Sequence, residues 1–366
     1  MKPHNPSLVL VAMMLGTPGL HADPANFMAR EWTLRDGSKA TGRFVRIHEE
    51  NLIIMKDDRE FPIAREKLSA ADWELALTIG KSEKEGLVGA SRKMEFAFVS
   101  AEQFPLSTFD MGAPKKAIER QAEEPLHRVQ ISRGFYLKRT EVTWAEWNVV
   151  RELAIGRGYT NLSVGRNGYQ GNGEGNHPVT EVSWSDAVLW CNLKSEAENL
   201  KAVYYSAKDF TAASILRDKN HPEIFMDRDA GGYRLPTEAE WELAWHCGAM
   251  TAPEEYGGWN SHTSSGNTHP VGTAQGTANF KFHDMLGNVA EWCWDWQRPL
   301  GPSSHDTDPA GLPTGKFRIF RGGSWADPPW CCYPSYRGDF SPNIPKSFFT
   351  GFRPARNPSK VPPTTR

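Results

Sequence analysis

Residues 233–242 read Tyr-Arg-Leu-Pro-Thr-Glu-Ala-Glu-Trp-Glu, and this stretch contains the clearest helix start in the chain. Thr237 is followed three positions later by Glu240, which is the spacing of a capping box. Trp241 then begins an apolar run with helical periodicity, so the start of a helix with a buried face is predicted here.

A second helix is predicted from Ser183, because Ala187, Trp190 and Leu193 follow it at helical spacing. Outside these two segments the chain is rich in turn formers, with 32 Gly and 26 Pro, and 11% of its residues are aromatic. This composition indicates short elements joined by many turns.

Five further motifs follow a recognisable order around that stretch. They are Phe135–Thr143 (FYLKRTEVT), His177–Trp184 (HPVTEVSW), Asp284–Trp292 (DMLGNVAEW), Arg321–Trp325 (RGGSW) and Gly351–Arg353 (GFR). Together the series resembles the formylglycine-generating enzyme, or sulfatase-modifying factor, family over residues 95–356. The resemblance implies an α+β fold, a compact C-type-lectin-like variant with little regular structure, a twisted antiparallel sheet and two flanking helices.

The segments outside this domain suggest an exported protein. An apolar run at residues 8–15 after Lys2 predicts a signal peptide over residues 1–22, and therefore a periplasmic or secreted location. Residues 27–80 resemble the small SH3-like β-barrel that often follows such a peptide. A linker is predicted at 81–94 and a disordered, Pro-rich tail at 357–366.

The net charge argues against a nucleic-acid partner, and the hydropathy pattern argues against a membrane span. The formal net charge is −2 and no block of Lys and Arg stands out, which argues against nucleic acid. No stretch of about 20 apolar residues is present, so no membrane span is predicted. The expected partner is a protein, either a bound partner or a substrate such as a sulfatase.

The resemblance also implies a site for copper(I). Active members of the family use copper(I), oxygen and two cysteines to oxidise a sulfatase cysteine to formylglycine. The matching positions here are Asp327 and Cys332, and Ser324 matches the family serine near the oxygen site. A carboxylate is a hard donor poorly suited to copper(I). The neighbouring Cys331 is not expected to replace the missing thiolate, because adjacent side chains of an extended segment point to opposite faces.

Three functions therefore remain open at the level of sequence. The substitution at Asp327 favours a family member without copper-dependent oxidase activity. The alternatives are an active oxidase that converts a sulfatase cysteine, and a non-catalytic module that binds protein or glycan. Iron of the kind bound by a His-x-x-x-His-x-Glu motif is not supported, because no pair of histidines has that spacing.

Calcium is a second expectation from the family. The resemblance places a structural Ca²⁺ on the Asp284 side chain, with the backbone carbonyls of Met285, Gly287 and Val289 as further ligands. Carboxylate and carbonyl oxygens are the donors that Ca²⁺ prefers. The alternative interpretation is an Asp turn that bonds its own backbone.

Two remaining expectations concern cysteines and aromatic rings. Cys191, one of five cysteines, is predicted to be a buried free thiol. The segment 325–336 is rich in rings and either lines a binding groove or fills the core. The residues assigned to that groove are Trp325, Asp327, Trp330, Cys332, Tyr333 and Tyr336.

Overall fold

The computed structural model describes residues 30–48, 50–56, 59–74, 76–77, 94–99, 108–113, 126–154, 157–171, 174–248, 257–274, 282–297, 306–343 and 347–358. The predicted signal peptide at 1–22 lies outside these residues. So do the predicted linker, apart from Met94, and the tail from residue 359 onward.

The N-terminal part of the described chain is a four-stranded antiparallel sheet. Its strands, in sheet order, are β1 (Arg30–Thr33), β2 (Lys39–His48), β3 (Asn51–Lys56) and β4 (Arg59–Ala64). A short helix α1 follows, described at residues 70–74 and 76–77 and capped by Ser69, whose hydroxyl accepts the Asp72 amide at 3.1 Å. Trp32, Leu52 and Trp73 are buried in one cluster. The predicted SH3-like barrel at 27–80 stays a prediction.

The large domain contains short strands and three α-helices among its described residues. The helices are α2 (Trp144–Glu152), α3 (Trp184–Ala197) and α4 (Glu238–Gly248). The strands are β5 (Phe96–Val99), β6 (Thr108–Met111), β7 (His127–Gln130), β8 (Phe135–Lys138), β9 (Arg166–Asn167), β10 (Val179–Thr180), β11 (Tyr204–Tyr205), β12 (Phe225–Met226), β13 (Tyr233–Arg234), β14 (Ala290–Trp296), β15 (Asp306–Thr307), β16 (Arg318–Arg321), β17 (Arg337–Phe340), β18 (Thr350–Gly351) and β19 (Ala355–Arg356).

Local capping explains where the helices begin. Ser183 caps α3 in a capping box with Asp186, and the Thr237 hydroxyl accepts the Glu240 amide at 3.2 Å at the start of α4. Both predicted helices are confirmed. A third helix, α2, was not predicted, and it starts at a capping box between Thr143 and Glu146.

Two four-stranded sheets organise the domain. One has the order β13-β19-β8-β5 and joins the first strand of the domain to the last. The other has the order β17-β16-β14-β18, in which β14 runs parallel to β18. Helices α2 and α3 pack on one hydrophobic cluster and α4 on another, and both clusters contain residues of β14. The mixed architecture with few helices agrees with the predicted α+β class.

The end of the domain is fixed by Asn357, the first residue of the predicted tail. Its amide donates to the carbonyls of Arg228 and Ala230 at 2.8 and 3.0 Å. Its side-chain oxygen accepts from the guanidinium of Arg234. Order therefore extends to at least this position.

Within the described part of the chain, no helix combines the length and apolarity required to cross a membrane.

Candidate functional site

The acidic residues of α4 form ion pairs inside the core. Arg321, on β16, donates to Glu238 at 2.7 Å and also bonds Glu242. Arg337, on β17, donates two further hydrogen bonds to Glu238. These arginines hold the pKa of Glu238 at about 2 against the opposing effect of burial. The pairs join α4 to the β14 sheet, so this motif is scaffold.

A second buried acidic group lies at the start of the DMLGNVAEW motif. Asp284 has a left-handed backbone (φ 55°), a conformation that Asn and Asp tolerate better than other non-glycine residues. One of its carboxylate oxygens accepts the Gly272 amide, while the other is buried without a partner in the described chain. Gly287 must be glycine, because a Cβ there would lie 2.2 Å from the Trp259 carbonyl oxygen.

Glu141 shares this buried site with Asp284. Its side chain is fully buried, and neither carboxylate oxygen has a hydrogen-bond partner among the described residues. Burial, and then the nearby Asp284 charge, raise the pKa of Glu141 well above its usual value. Burial likewise raises the pKa of Asp284 to about 6.

The arginine whose charge lowers the pKa of both carboxyls, Arg353, is already bonded elsewhere. Arg353 donates to both oxygens of Glu291, at 2.7 and 2.6 Å, and to the His283 carbonyl at 2.8 Å. Arg353 is therefore paired with Glu291, and Glu141 and Asp284 would add two further negative charges if both ionised. Burying unpaired charges is costly, so this group is suited to a cation.

The third feature is the loop after β16. Gly322 and Gly323 both have left-handed backbones (φ 90° and 66°), which glycine adopts without strain. A Cβ on Gly323 would lie 2.8 Å from the Cys332 sulfur. The glycine thus lets the loop cover this thiol, and the loop then turns through Ser324 to Asp327.

Ser324, Asp327 and Cys332 lie close together beneath this loop. The Ser324 hydroxyl donates to the Asp327 carboxylate at 2.7 Å, and the Cys332 sulfur lies 3.8 Å from the Ser324 carbonyl oxygen. Only 6% of Cys332 is exposed, and burial, followed by the Asp327 charge, raises the pKa of its thiol. The pair is therefore a protonated thiol beside a carboxylate.

The aromatic rings of segment 325–336 differ in how far they are exposed. Trp330 is 43% exposed and contacts Tyr336 edge-on, with ring centroids 6.0 Å apart. Trp325 is half-buried and stacks on Tyr169 with a centroid distance of 4.6 Å. Trp330 is therefore not a core ring. Of the six groove residues, Cys332 is buried beneath the loop rather than on its surface.

None of the five cysteines, all of which the structure describes, forms a disulfide. Cys191 is a buried free thiol, as predicted, and burial raises its pKa.

Sequence reasoning assigned no role to Glu141. It is 143 positions from Asp284, so no local spacing links the two residues. The signal that could have found it is an acid placed directly before the buried Val142 in the FYLKRTEVT motif.

The domain can now be compared with known proteins. The family model described as "Sulfatase-modifying factor enzyme 1-like domain" matches residues 104–358, and the chain belongs to this family.

Two relatives and one solved structure illustrate its range. The chain is 30% identical over 236 residues to the chaperone protein LppX of Paenibacillus barcinonensis, covering 57% of this chain and 75% of the relative. It is 33% identical over 221 residues to the formylglycine-generating enzyme of Thermomonospora curvata, covering 50% and 68%. The structure of Treponema denticola variable protein 1 matches with a TM-score of 0.57 and 27% identity, covering 72% of this chain and 95% of that one.

Proposed function

We propose that this protein is an exported family member that binds a protein partner at the Gly-Gly-Ser-Trp loop and does not carry out copper-dependent oxidation. One observation carries the proposal. Asp327 occupies the place of one family cysteine and accepts the Ser324 hydroxyl at 2.7 Å. Copper(I) prefers two thiolates, and here it would meet a carboxylate and a buried, protonated thiol.

The relatives support a protein partner. Proteins of this family act on protein substrates, and one relative of this chain is named a chaperone. The fold hosts both roles and favours neither, so the support for a binding role comes from the loop residues. Exposed aromatic rings also suit the binding of a glycan, so a glycan partner is a variant of this proposal.

The second candidate is an oxidase acting on a sulfatase cysteine. It is favoured by the retention of Ser324 and Cys332 at positions that match the family, and by the similarity to formylglycine-generating enzymes. Its cost is the exchange of a soft sulfur ligand for a hard oxygen ligand.

Copper(I) competition tests the proposal directly. The purified protein is titrated with copper(I) in the presence of a chelator, alongside Asp327→Cys and, as a matched control, Asp327→Asn. We expect the unmodified protein and the Asn variant to leave copper on the chelator, while the Cys variant withdraws it. Tight binding by the unmodified protein, or loss of sulfur from a sulfatase peptide in mass spectrometry, would refute the proposal.

Calcium is proposed as a structural ion at Glu141 and Asp284. The fit rests on the three buried carboxylate oxygens that have no partner among the described residues. Among the described residues, no group of three Asp, Glu, His or Cys side chains is arranged to hold a metal ion. Backbone carbonyls would therefore complete the site, and Met285, Gly287 and Val289 remain the predicted donors. The bound ion would supply the missing positive charge and no redox chemistry.

The N-terminal sheet is proposed to be an SH3-like binding or spacing module that follows a signal peptide. Its four antiparallel strands and its Trp-centred core support this role.

A further inference from the structure

A cleft of about 620 Å³ lies beside the C-terminal end of α3, and none of its lining residues belongs to the Gly-Gly-Ser-Trp loop. Clefts of this size with a largely apolar lining and a few polar groups are typical of ligand sites. The apolar and aromatic part of the lining consists of Leu200, Ala202, Tyr205, Phe210, Ala212 and Ile215. The polar part consists of Arg157, Glu196, Asn199 and Lys201.

Phe210 lines this cleft in an unusual backbone conformation. Its φ is 50°, a left-handed value that Gly, Asn and Asp adopt readily and a bulky side chain does not. Its half-buried ring meets the buried ring of Tyr205 close to edge-on, with the centroids 5.2 Å apart. Backbone strain of this kind persists only where surrounding contacts impose it, and such residues cluster at ligand sites.

Hydrogen bonds close the loop that carries Phe210 and impose this conformation. The Asp209 carboxylate accepts the Ser214 hydroxyl and, at 3.2 Å, the Thr211 amide. The Ser206 amide donates to the Ser214 carbonyl at 2.8 Å, which joins the two ends of the loop. The phenyl ring is therefore held at the cleft by a network that does not involve the ring itself.

Arg157 gives the cleft an unbalanced positive charge. The other two charged lining residues are already paired, Glu196 with Arg217 at 2.5 Å and Lys201 with Asp227 at 2.5 Å. Arg157 is exposed and forms no ion pair with any residue that the structure describes. A guanidinium binds a carboxylate through two parallel hydrogen bonds, so this cleft joins an apolar surface to a group that selects an anion.

We propose that the cleft binds an acidic peptide segment in which an aromatic or aliphatic side chain neighbours a carboxylate. The apolar side chain would lie against Phe210, and the carboxylate would pair with Arg157. Both residues line the same cleft, so one short segment can reach them together. This surface is additional to the loop and gives the chain a second contact with a protein partner.

The test uses pools of short labelled peptides with random flanks and a central Phe-Glu, Phe-Gln, Phe-Lys or Ala-Glu pair, titrated into the full chain. We expect the Phe-Glu pool to bind about tenfold more tightly than the Phe-Gln and Ala-Glu pools. Arg157→Glu should reverse the charge preference, so that the Phe-Lys pool binds more tightly than the Phe-Glu pool. The small acid 3-phenylpropionate should bind at least about tenfold more weakly than the Phe-Glu pool.

A second pair of variants separates a binding ring from a structural one. Phe210→Asn suits the left-handed backbone and removes the ring, so it should weaken binding of the Phe-Glu pool without lowering the Tm. Phe210→Tyr keeps the ring and should retain most of the affinity. A lower Tm with unchanged binding in Phe210→Asn would assign the ring to the fold and overturn the proposal.

The matched control reverses a charge elsewhere. Arg128 is exposed on β7, and Arg128→Glu should leave the preference for Phe-Glu unchanged. Equal binding of all pools, a preference that survives Arg157→Glu, or the same reversal in Arg128→Glu would each overturn the proposal. Equal affinity for 3-phenylpropionate would overturn the assignment to a peptide. If no pool binds, the cleft is not a peptide site, while the proposed function of the loop is unaffected.

Discussion

Two groups of buried carboxylates in this domain have opposite surroundings. Glu238 and Glu242 on α4 are bonded to Arg321, whereas Glu141 and Asp284 have three buried oxygens without a partner in the described chain. The pKa of Glu238 is lowered to about 2, while that of Asp284 is raised to about 6. Burial is alike in the two groups, so the difference lies in the supply of positive charge. The first group holds elements together, and the second is suited to an ion.

Removing an arginine should convert the first group into the second. Arg321→Met would leave Glu242 buried without its cationic partner, and breaking a buried pair in this way costs about 3–5 kcal/mol. The free energy of unfolding from urea denaturation measures the loss. Arg133→Met is the control, because its pair with Asp229 is exposed and should contribute less than about 1 kcal/mol. A loss for Arg321→Met as small as that of the control would show that the α4 pairs are not structural.

Calcium should neutralise Glu141 and Asp284, as Arg321 neutralises the acids of α4, and should therefore stabilise the fold. An ion that binds only the folded state stabilises it by about 2.7 kcal/mol at a concentration 100 times its Kd. For a domain of this size that corresponds to a rise in Tm of roughly 5–10 °C. Differential scanning fluorimetry with and without a chelator measures the rise.

Two variants locate that effect. Glu141→Gln and Asp284→Asn should each abolish the calcium-dependent rise, and Asp229→Asn, at an exposed carboxylate, should retain it. An unchanged Tm in the unmodified protein, or a rise that survives both substitutions, would argue against the site.

Of these effects on stability, the dependence on pH is expected to be the smallest and the most specific. The pKa of Asp284 is about 6 in the folded protein against an ordinary value of 3.8, so between these values the folded state holds more protons than the unfolded state. Calcium-free stability should therefore fall as pH rises from about 4 through about 6. The calcium-dependent gain should grow over the same interval, because the ion displaces those protons.

The pH effect is read as the difference between the unmodified protein and Asp284→Asn in chelator, which cancels the titration of groups that do not interact with Asp284. Because the Asp284 charge raises the pKa of Glu141, the difference reports the two carboxyls together. A difference that stays constant across this range would mean that Asp284 titrates normally.

The sequence predicted features that depend on near neighbours. The starts of α3 and α4 follow from capping residues three positions apart, and Thr143 and Glu146 carry the same signal at the start of α2. The loop residues Ser324 and Asp327 are also three positions apart, and a hydrogen bond joins them.

Features that depend on distant pairing could not be predicted. The meeting of Glu141 with Asp284, and of Arg321 with Glu238, is determined by how the strands assemble rather than by spacing. The exposure of Trp330 also depends on what packs over it, because a tryptophan-rich segment fits a core and a surface equally well.

The sheet that joins β5 to β19 through β8 has a consequence for how the protein is made. Strand β8 pairs with residues 355–356, more than 200 positions later in the chain. Such distant contacts slow folding, and synthesis proceeds from the N-terminus. The sheet cannot close until the ribosome has released nearly the whole chain, so a nascent large domain remains open through most of its translation. A message truncated shortly before codon 353 would yield a chain that lacks both the last strand and the arginine that neutralises Glu291.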